Sequence, residues 1–218
     1  MYAGHLAAGL VLKKAEKRVN LGLLFFAALL PDFLLGIFAL LGMEQIHVPA
    51  NYGDLHYLTF TFPYSHGLIA SLAWSLLAFV IVKVIWRANK ASTRMAVLVA
   101  VAVFSHFVLD VIVHIPEMPL LGANSYQLGL SLGNTLGLAL ALEIALAVVG
   151  LFIYLKATPS LSRMTRNGLI LLVAFVSVLT ISVVFSDAAP PPAGVAGTLL
   201  IQVVVPAGIA YWLDRKKD

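Results

Sequence analysis

Apolar runs long enough to cross a bilayer alternate with short polar stretches along the chain, at about 21–43, 67–85, 95–115, 128–155, 168–185 and 195–213. Runs of this length and purity predict transmembrane helices. A shorter segment, 2–18, starts apolar and ends basic, and predicts a helix partly buried at its start and at the surface by its end. Asn20 opens the first spanning run, which Pro31 interrupts with Asp32 directly behind it. Proline breaks the helix ladder, and freed backbone beside a carboxylate at membrane depth is tolerated only where it is buried in protein or lines a cavity. Ser65 reads as an N-cap that places His66 in the first turn of the next span. The last two runs carry almost no ionisable side chains and read as packing helices. The pattern describes an all-α, polytopic membrane helix bundle of about six transmembrane helices plus the partly buried N-terminal helix, one integral domain over 1–218, with no internal repeat.

The third run breaks its own pattern. It reads His106-x3-Asp110-x3-His114 inside otherwise apolar sequence. Residues four apart share one helix face, so these three form a single stripe. Facing lipid, such a stripe is costly, and ionisable groups at this depth turn towards a bundle interior or a wet cavity. Imidazole and carboxylate on one face also suit a zinc-type ion. A hydrogen-bonded polar cluster without metal has the same pattern, so the stripe alone leaves both open.

Composition sharpens the class. The chain is 61% hydrophobic and 11% charged, with a mean hydropathy of +0.98. This excludes a soluble domain, and the net charge of +4 is not a nucleic-acid signal here. The absence of cysteine excludes disulfides, thiolate metal sites and a cysteine nucleophile. No basic stretch precedes the apolar start, so a cleavable signal peptide is not expected. All 14 Lys and Arg fall at 13–18, 83–94, 156–166 and 215–217, while the loops 43–65, 115–127 and 186–194 have none. The two sets alternate as six spans require. The positive-inside rule then predicts that the basic set and the C-terminus are cytoplasmic.

That topology lets depths be compared. At the helical rise, His5 lies ~12 Å above Lys13, Asp32 and His106 ~18 Å above Asn20 and Arg94, Asp110 ~24 Å above Arg94, His66 ~25 Å above Lys83 and Glu143 ~20 Å above Lys156. His5, Asp32, His66, His106, Asp110 and His114 thus share a layer from mid-bilayer to the outer leaflet, which favours a metal site. Glu143 is expected to act one shell out, or as a proton acceptor. His47 and His56 read as loop histidines and Asp54 as a turn residue. Trp74, Trp86, Tyr154 and Trp212 read as core or belt aromatics.

Four short motifs, Gly4-His5, Leu29-Leu30-Pro31-Asp32, Ser65-His66 and Ser105-His106-x3-Asp110, resemble the membrane-bound metal-dependent hydrolases, also described as LexA-regulated inner-membrane hydrolases. Their order is also similar to that of the ligands in the soluble zinc-dependent phospholipase C fold. The resemblance covers residues 1 to about 120. It implies one ion on Asp32, His66, His106 and Asp110, and a second on His5 sharing Asp110. A third would take His114 with a later His-x3-Glu, but no histidine follows His114. A second histidine expected shortly before His66 is replaced by the stretch Thr61-Phe62-Pro63-Tyr64.

The expectation is a membrane-embedded, metal-dependent hydrolase of a phosphoester, acting on a lipid or lipid-linked substrate at the outer leaflet of an inner membrane. The cofactor is a divalent metal, Zn2+ by ligand type with Mn2+ or Fe2+ also suited, as one or two ions. Asp32 serves as a ligand, or as the base if an ion is absent, and His114 or Glu117 as proton donor to the leaving group. Two other classes remain open. A small transporter would use the same histidines and aspartates as a proton or cation path and should show matched broken helices in two halves. A scaffold with a structural metal should show a closed site.

Overall fold

The computed structural model describes residues 2–87, 92–186 and 188–215; Lys90, Asp187, Lys216 and Lys217 lie outside the described residues. The architecture is an all-α bundle. A short helix α1 (Ala3–Ala15) leads to α2 (Leu21–Ala28) and α3 (Leu30–Leu40). Five longer helices follow: α5 (Leu68–Ile85), α6 (Ser92–Val113), α7 (Leu136–Ala157), α8 (Arg163–Ser182) and α9 (Pro192–Leu213). These five are long and apolar enough to cross a membrane, and α2 with α3 form a sixth, broken candidate bent by 52°. Large apolar side chains such as Leu171, Val178 and Ile201 stand on the outer surface. The chain is an integral membrane protein.

The break between α2 and α3 falls at Leu29, two residues before Pro31, as the sequence predicts. Asn20 caps α2, its side chain accepting from Gly22 N at 2.8 Å. The bend swings Asp32 into the first turn of α3.

Helix α1 is held inside the bundle. His5, Leu6 and Leu10 are fully buried, and the helix packs along α7 and α2. Gly150 permits this close approach, because a Cβ there would lie 2.8 Å from Ala7 Cα. At the far end of α1, Lys13 Nζ reaches Asp214 Oδ2 at 2.6 Å and the Lys17 carbonyl at 2.9 Å. The same carboxylate oxygen accepts from Leu21 N at 2.7 Å, so one ion pair joins α1, α2 and the end of α9.

Several expectations need correction. Ser65 is not an N-cap: Gly67 occupies that position without a side-chain cap, and His66 lies in the turn before α5. The loop 44–65 folds into an antiparallel pair, β1 (Gln45–His47) with β2 (Thr59–Thr61), flanking the short helix α4 (Tyr52–Leu55). A second pair, β3 (Met118–Pro119) with β4 (Gln127–Leu128), replaces the expected start of the fourth span. That span begins instead at Leu136. Gly129 has φ +155°, Ser131 has φ +61°, and a Cβ at Gly129 would collide with the Ile115 carbonyl, so no helix can run through 128–131.

Candidate metal centre

The three stripe residues sit on the last turns of α6 and just beyond it, and the bundle closes around them. His106 and Asp110 are buried, and His114 lies one residue past the helix end, its N–H bonded to the Asp110 carbonyl at 2.8 Å. The stripe turns inward, not to lipid. Asp32 arrives from α3, His66 from the turn before α5 and His5 from α1. Four separate stretches therefore converge on one buried point.

At its centre, His66 Nε2 lies 3.1 Å from His106 Nε2. His66 Nε2 is 3.5 Å from Asp110 Oδ2 and 3.6 Å from Asp32 Oδ1. His106 Nε2 is 3.0 Å from Asp110 Oδ2 and 3.8 Å from Asp32 Oδ1. Tetrahedral zinc with bonds of about 2.0–2.2 Å has ligand atoms roughly 3.3–3.6 Å apart, so the observed spacings bracket such a site. Two groups could each hold an ion: His66, His106 and Asp110, and His5, Asp32 and His106, with ligand atoms within 4.8 Å in each. They share His106. The resemblance implies Asp110 as the shared ligand, and its two oxygens face both groups: Oδ2 lies by His66 and His106, and Oδ1 lies 3.1 Å from His5 Nε2.

Hydrogen bonding around the rings fixes where their protons sit. His106 Nδ1 faces the Ala28 carbonyl at 2.8 Å, and a carbonyl only accepts, so Nδ1 carries the proton. His66 Nδ1 faces Ser65 Oγ at 2.7 Å, and that hydroxyl also meets Glu44 Oε2 at 2.7 Å. A carboxylate only accepts, so Ser65 gives its single proton to Glu44 and takes one from His66 Nδ1–H. His114 Nδ1 lies 2.7 Å from Glu117 Oε1, which also accepts from the Tyr57 hydroxyl at 2.8 Å. All three rings therefore use Nδ1–H outward and leave Nε2 directed at the carboxylates. Neutral rings in this form present bare lone pairs to one another and to carboxylate oxygens, an arrangement that a cation relieves. Ligating histidines hold their outer N–H in the same way.

His5 differs. Its Nε2 faces Asp110, its ring stacks on His106 with centroids 3.8 Å apart, and its buried Nδ1 has no hydrogen-bond partner among the described residues. His114 stands at the margin, with Nε2 3.7 Å from Asp110 Oδ2. Glu117 is held between Tyr57, His114 and the Phe60 N–H at 2.7 Å. Burial and the Glu117 carboxylate keep the Tyr57 hydroxyl well above its ordinary pKa, so it remains a donor. Glu143 accepts from Tyr2 N at 2.7 Å and so anchors the start of α1, which carries His5. His47 bonds Thr61 in the loop hairpin, and His56 Nδ1 donates to the Ser186 carbonyl at 3.1 Å; neither joins the cluster.

Glu44 and Tyr57 are the partners that sequence reasoning missed. Their only sequence signal is position in the loop that also carries His47 and His56, and neither has informative spacing from the residue it serves.

A cavity of about 380 Å³ adjoins the cluster. Asp32, His66 and His114 line it on one side, and Glu143, Tyr57 and apolar residues of α7, α8 and α9 on the others. Comparisons with protein-family models, with curated proteins and with solved structures find no match for this chain.

Proposed function

We propose that the protein is a membrane-embedded, metal-dependent hydrolase of a phosphoester, lipid or lipid-linked, of the kind its sequence motifs resemble. The observation that carries this reading is the cavity against Asp32, His66 and His114. It gives the His66–His106–Asp110 group an open side, whereas a structural metal is enclosed by its protein ligands. Among the described residues there is one broken helix pair, α2 with α3, and not the matched pair that favours a transporter. By the positive-inside rule, the basic ends of α1, α5 and α7 face the cytoplasm and the cluster lies towards the outer leaflet.

His66, His106 and Asp110 would hold Zn2+, Mn2+ or Fe2+, which would supply Lewis acidity and activate water near neutral pH. The chain does the rest. His66 and His106 are fixed in tautomer and direction through the Glu44–Ser65 and Ala28 contacts. Asp32 reaches the cavity and is placed to take the proton of the attacking water. As the phosphorus–oxygen bond breaks, the leaving oxygen takes a proton from Nε2 of His114 after that nitrogen has picked one up from solvent, while Glu117 holds the ring at Nδ1. The test is hydrolysis of a p-nitrophenyl phosphodiester by purified protein loaded with Zn2+ or Mn2+ in detergent. Turnover lost on chelation and regained on metal return is expected; no turnover with any of these metals overturns the reading.

A further inference from the structure

The cavity has a shape of its own. Over their first and last turns respectively, α8 and α9 are tightly joined. Leu169, Leu172, Val173 and Val176 share one buried cluster with Val203, Ala207, Ala210 and Leu213, and Thr165 Oγ1 donates to the Leu213 carbonyl at 3.1 Å. Beyond Val176 the two helices part. Leu179 and Val183 of the α8 arm, and Val195 and Leu199 of α9, line the cavity instead. There α9 keeps to α3: a Cβ on Gly36 would lie 2.9 Å from the Ala196 carbonyl and 2.8 Å from Leu200. Nothing comparable draws α8 along, so a wedge opens between them.

The wedge leads from the outer surface to the cluster. Leu179 is 37% exposed and Thr198 is exposed, yet both line the cavity, so they form the two sides of a mouth on the bundle's flank. Above the mouth, the loop around α4 is tied to the α8–α9 connection by the His56–Ser186 hydrogen bond, and Tyr52 and Tyr57 form part of the cavity wall. The wall is mostly apolar, with Leu140, Val183, Val195 and Leu199, interrupted by Thr180, Gln202 and Glu143, and Asp32, His66 and His114 join it at the cluster. Mostly apolar pockets with a small number of placed polar groups orient an amphiphile.

We infer that this cavity holds the apolar chain of the substrate, and that the chain enters sideways from the lipid between the splayed ends of α8 and α9. This rests on the hydrolase reading and adds to it the part of the substrate that is recognised and its route in. The phosphoester lies at the histidines and aspartates, and the hydrocarbon trails through the mouth between Leu179 and Thr198.

The chain has no cysteine, so Thr198→Cys introduces a single thiol. The full-length, metal-loaded variant in detergent is assayed with methyl p-nitrophenyl phosphate and with hexadecyl p-nitrophenyl phosphate, before and after modification by benzyl methanethiosulfonate. The two substrates share a leaving group and differ only in the chain. Losing one or two methylene contacts in a pocket is worth about tenfold in kcat/KM. Modification is therefore expected to lower the long-to-short kcat/KM ratio about tenfold or more, and removal of the label with a phosphine reductant to restore it. Because each preparation is compared with itself, misfolding cannot mimic the result. An unchanged ratio at full labelling, or hydrolysis of the short substrate alone by the unmodified variant, overturns the inference and leaves the hydrolase reading standing. No hydrolysis of either substrate by wild type overturns both.

Discussion

Removing the Ser65 hydroxyl tests how the cluster is held. Ser65 Oγ sits between Glu44 Oε2 and His66 Nδ1, at 2.7 Å from each. In Ser65→Ala the backbone bonds from Tyr64 N and Ser65 N to Glu44 Oε1, at 2.8 and 2.9 Å, remain, so the turn keeps its fold. What is lost is the acceptor for a buried imidazole N–H. Leaving such a group unpaired costs about 1–3 kcal/mol, and loss of an outer partner of a ligating histidine typically costs about 10–100-fold in metal affinity. The two ranges agree, since ~1.4 kcal/mol is tenfold. Zinc affinity, measured by chelator competition in detergent, should therefore fall by roughly one to two orders of magnitude. Glu44→Gln separates polarity from packing. The amide has the same size but can donate to Ser65, which then gives its own proton to His66 Nδ1 and turns the ring so that Nε2 carries the hydrogen. Zinc binding should weaken there too, with the tautomer change visible in the nitrogen NMR shifts of His66. Wild-type zinc affinity in both variants would refute the reasoning.

Asp110→Asn removes the carboxylate that meets His5, His66, His106 and His114, and should abolish hydrolysis while the protein still inserts and purifies; retained turnover contradicts its place in the site. Lys13→Ala removes the cation from Asp214, whose side chain is 11% exposed and keeps the Leu21 N–H bond to Oδ2, and should lower stability by about 1–3 kcal/mol in a thermal or denaturant assay. Reporter fusions near Asp54 and Asn124 should read outside the cytoplasm; a cytoplasmic signal at either overturns the orientation.

Much of this was legible in the sequence, for reasons that can be stated residue by residue. The inward turn of His106, Asp110 and His114 follows from their four-residue spacing and the cost of facing lipid. The break before Asp32 follows from Pro31, and the convergence of His5, Asp32 and His66 on the stripe from their common depth. The outer loops were less legible. Gln45–His47 and Thr59–Thr61 alternate polar and apolar residues, a strand signal too short to stand out beside long helices. Leu128, Leu130 and Leu132 look like the start of a span, and only the positive φ of Gly129 and Ser131 keeps them from helix. The pairing of Glu44 with Ser65 and of Tyr57 with Glu117 depends on how the loops fold back over the bundle, which local spacing does not encode. His66 does reach the cluster, but a backbone turn before α5 sets it there, not a serine cap.

The central claim is that this cluster binds metal. Elemental analysis of the protein purified in detergent without chelators, followed by zinc titration of a chelator-stripped sample, tests it most directly. At least one tightly held divalent ion per chain is expected in wild type, with binding lost in His106→Ala and Asp110→Asn. Wild-type protein that purifies without metal and takes up none on titration would contradict it.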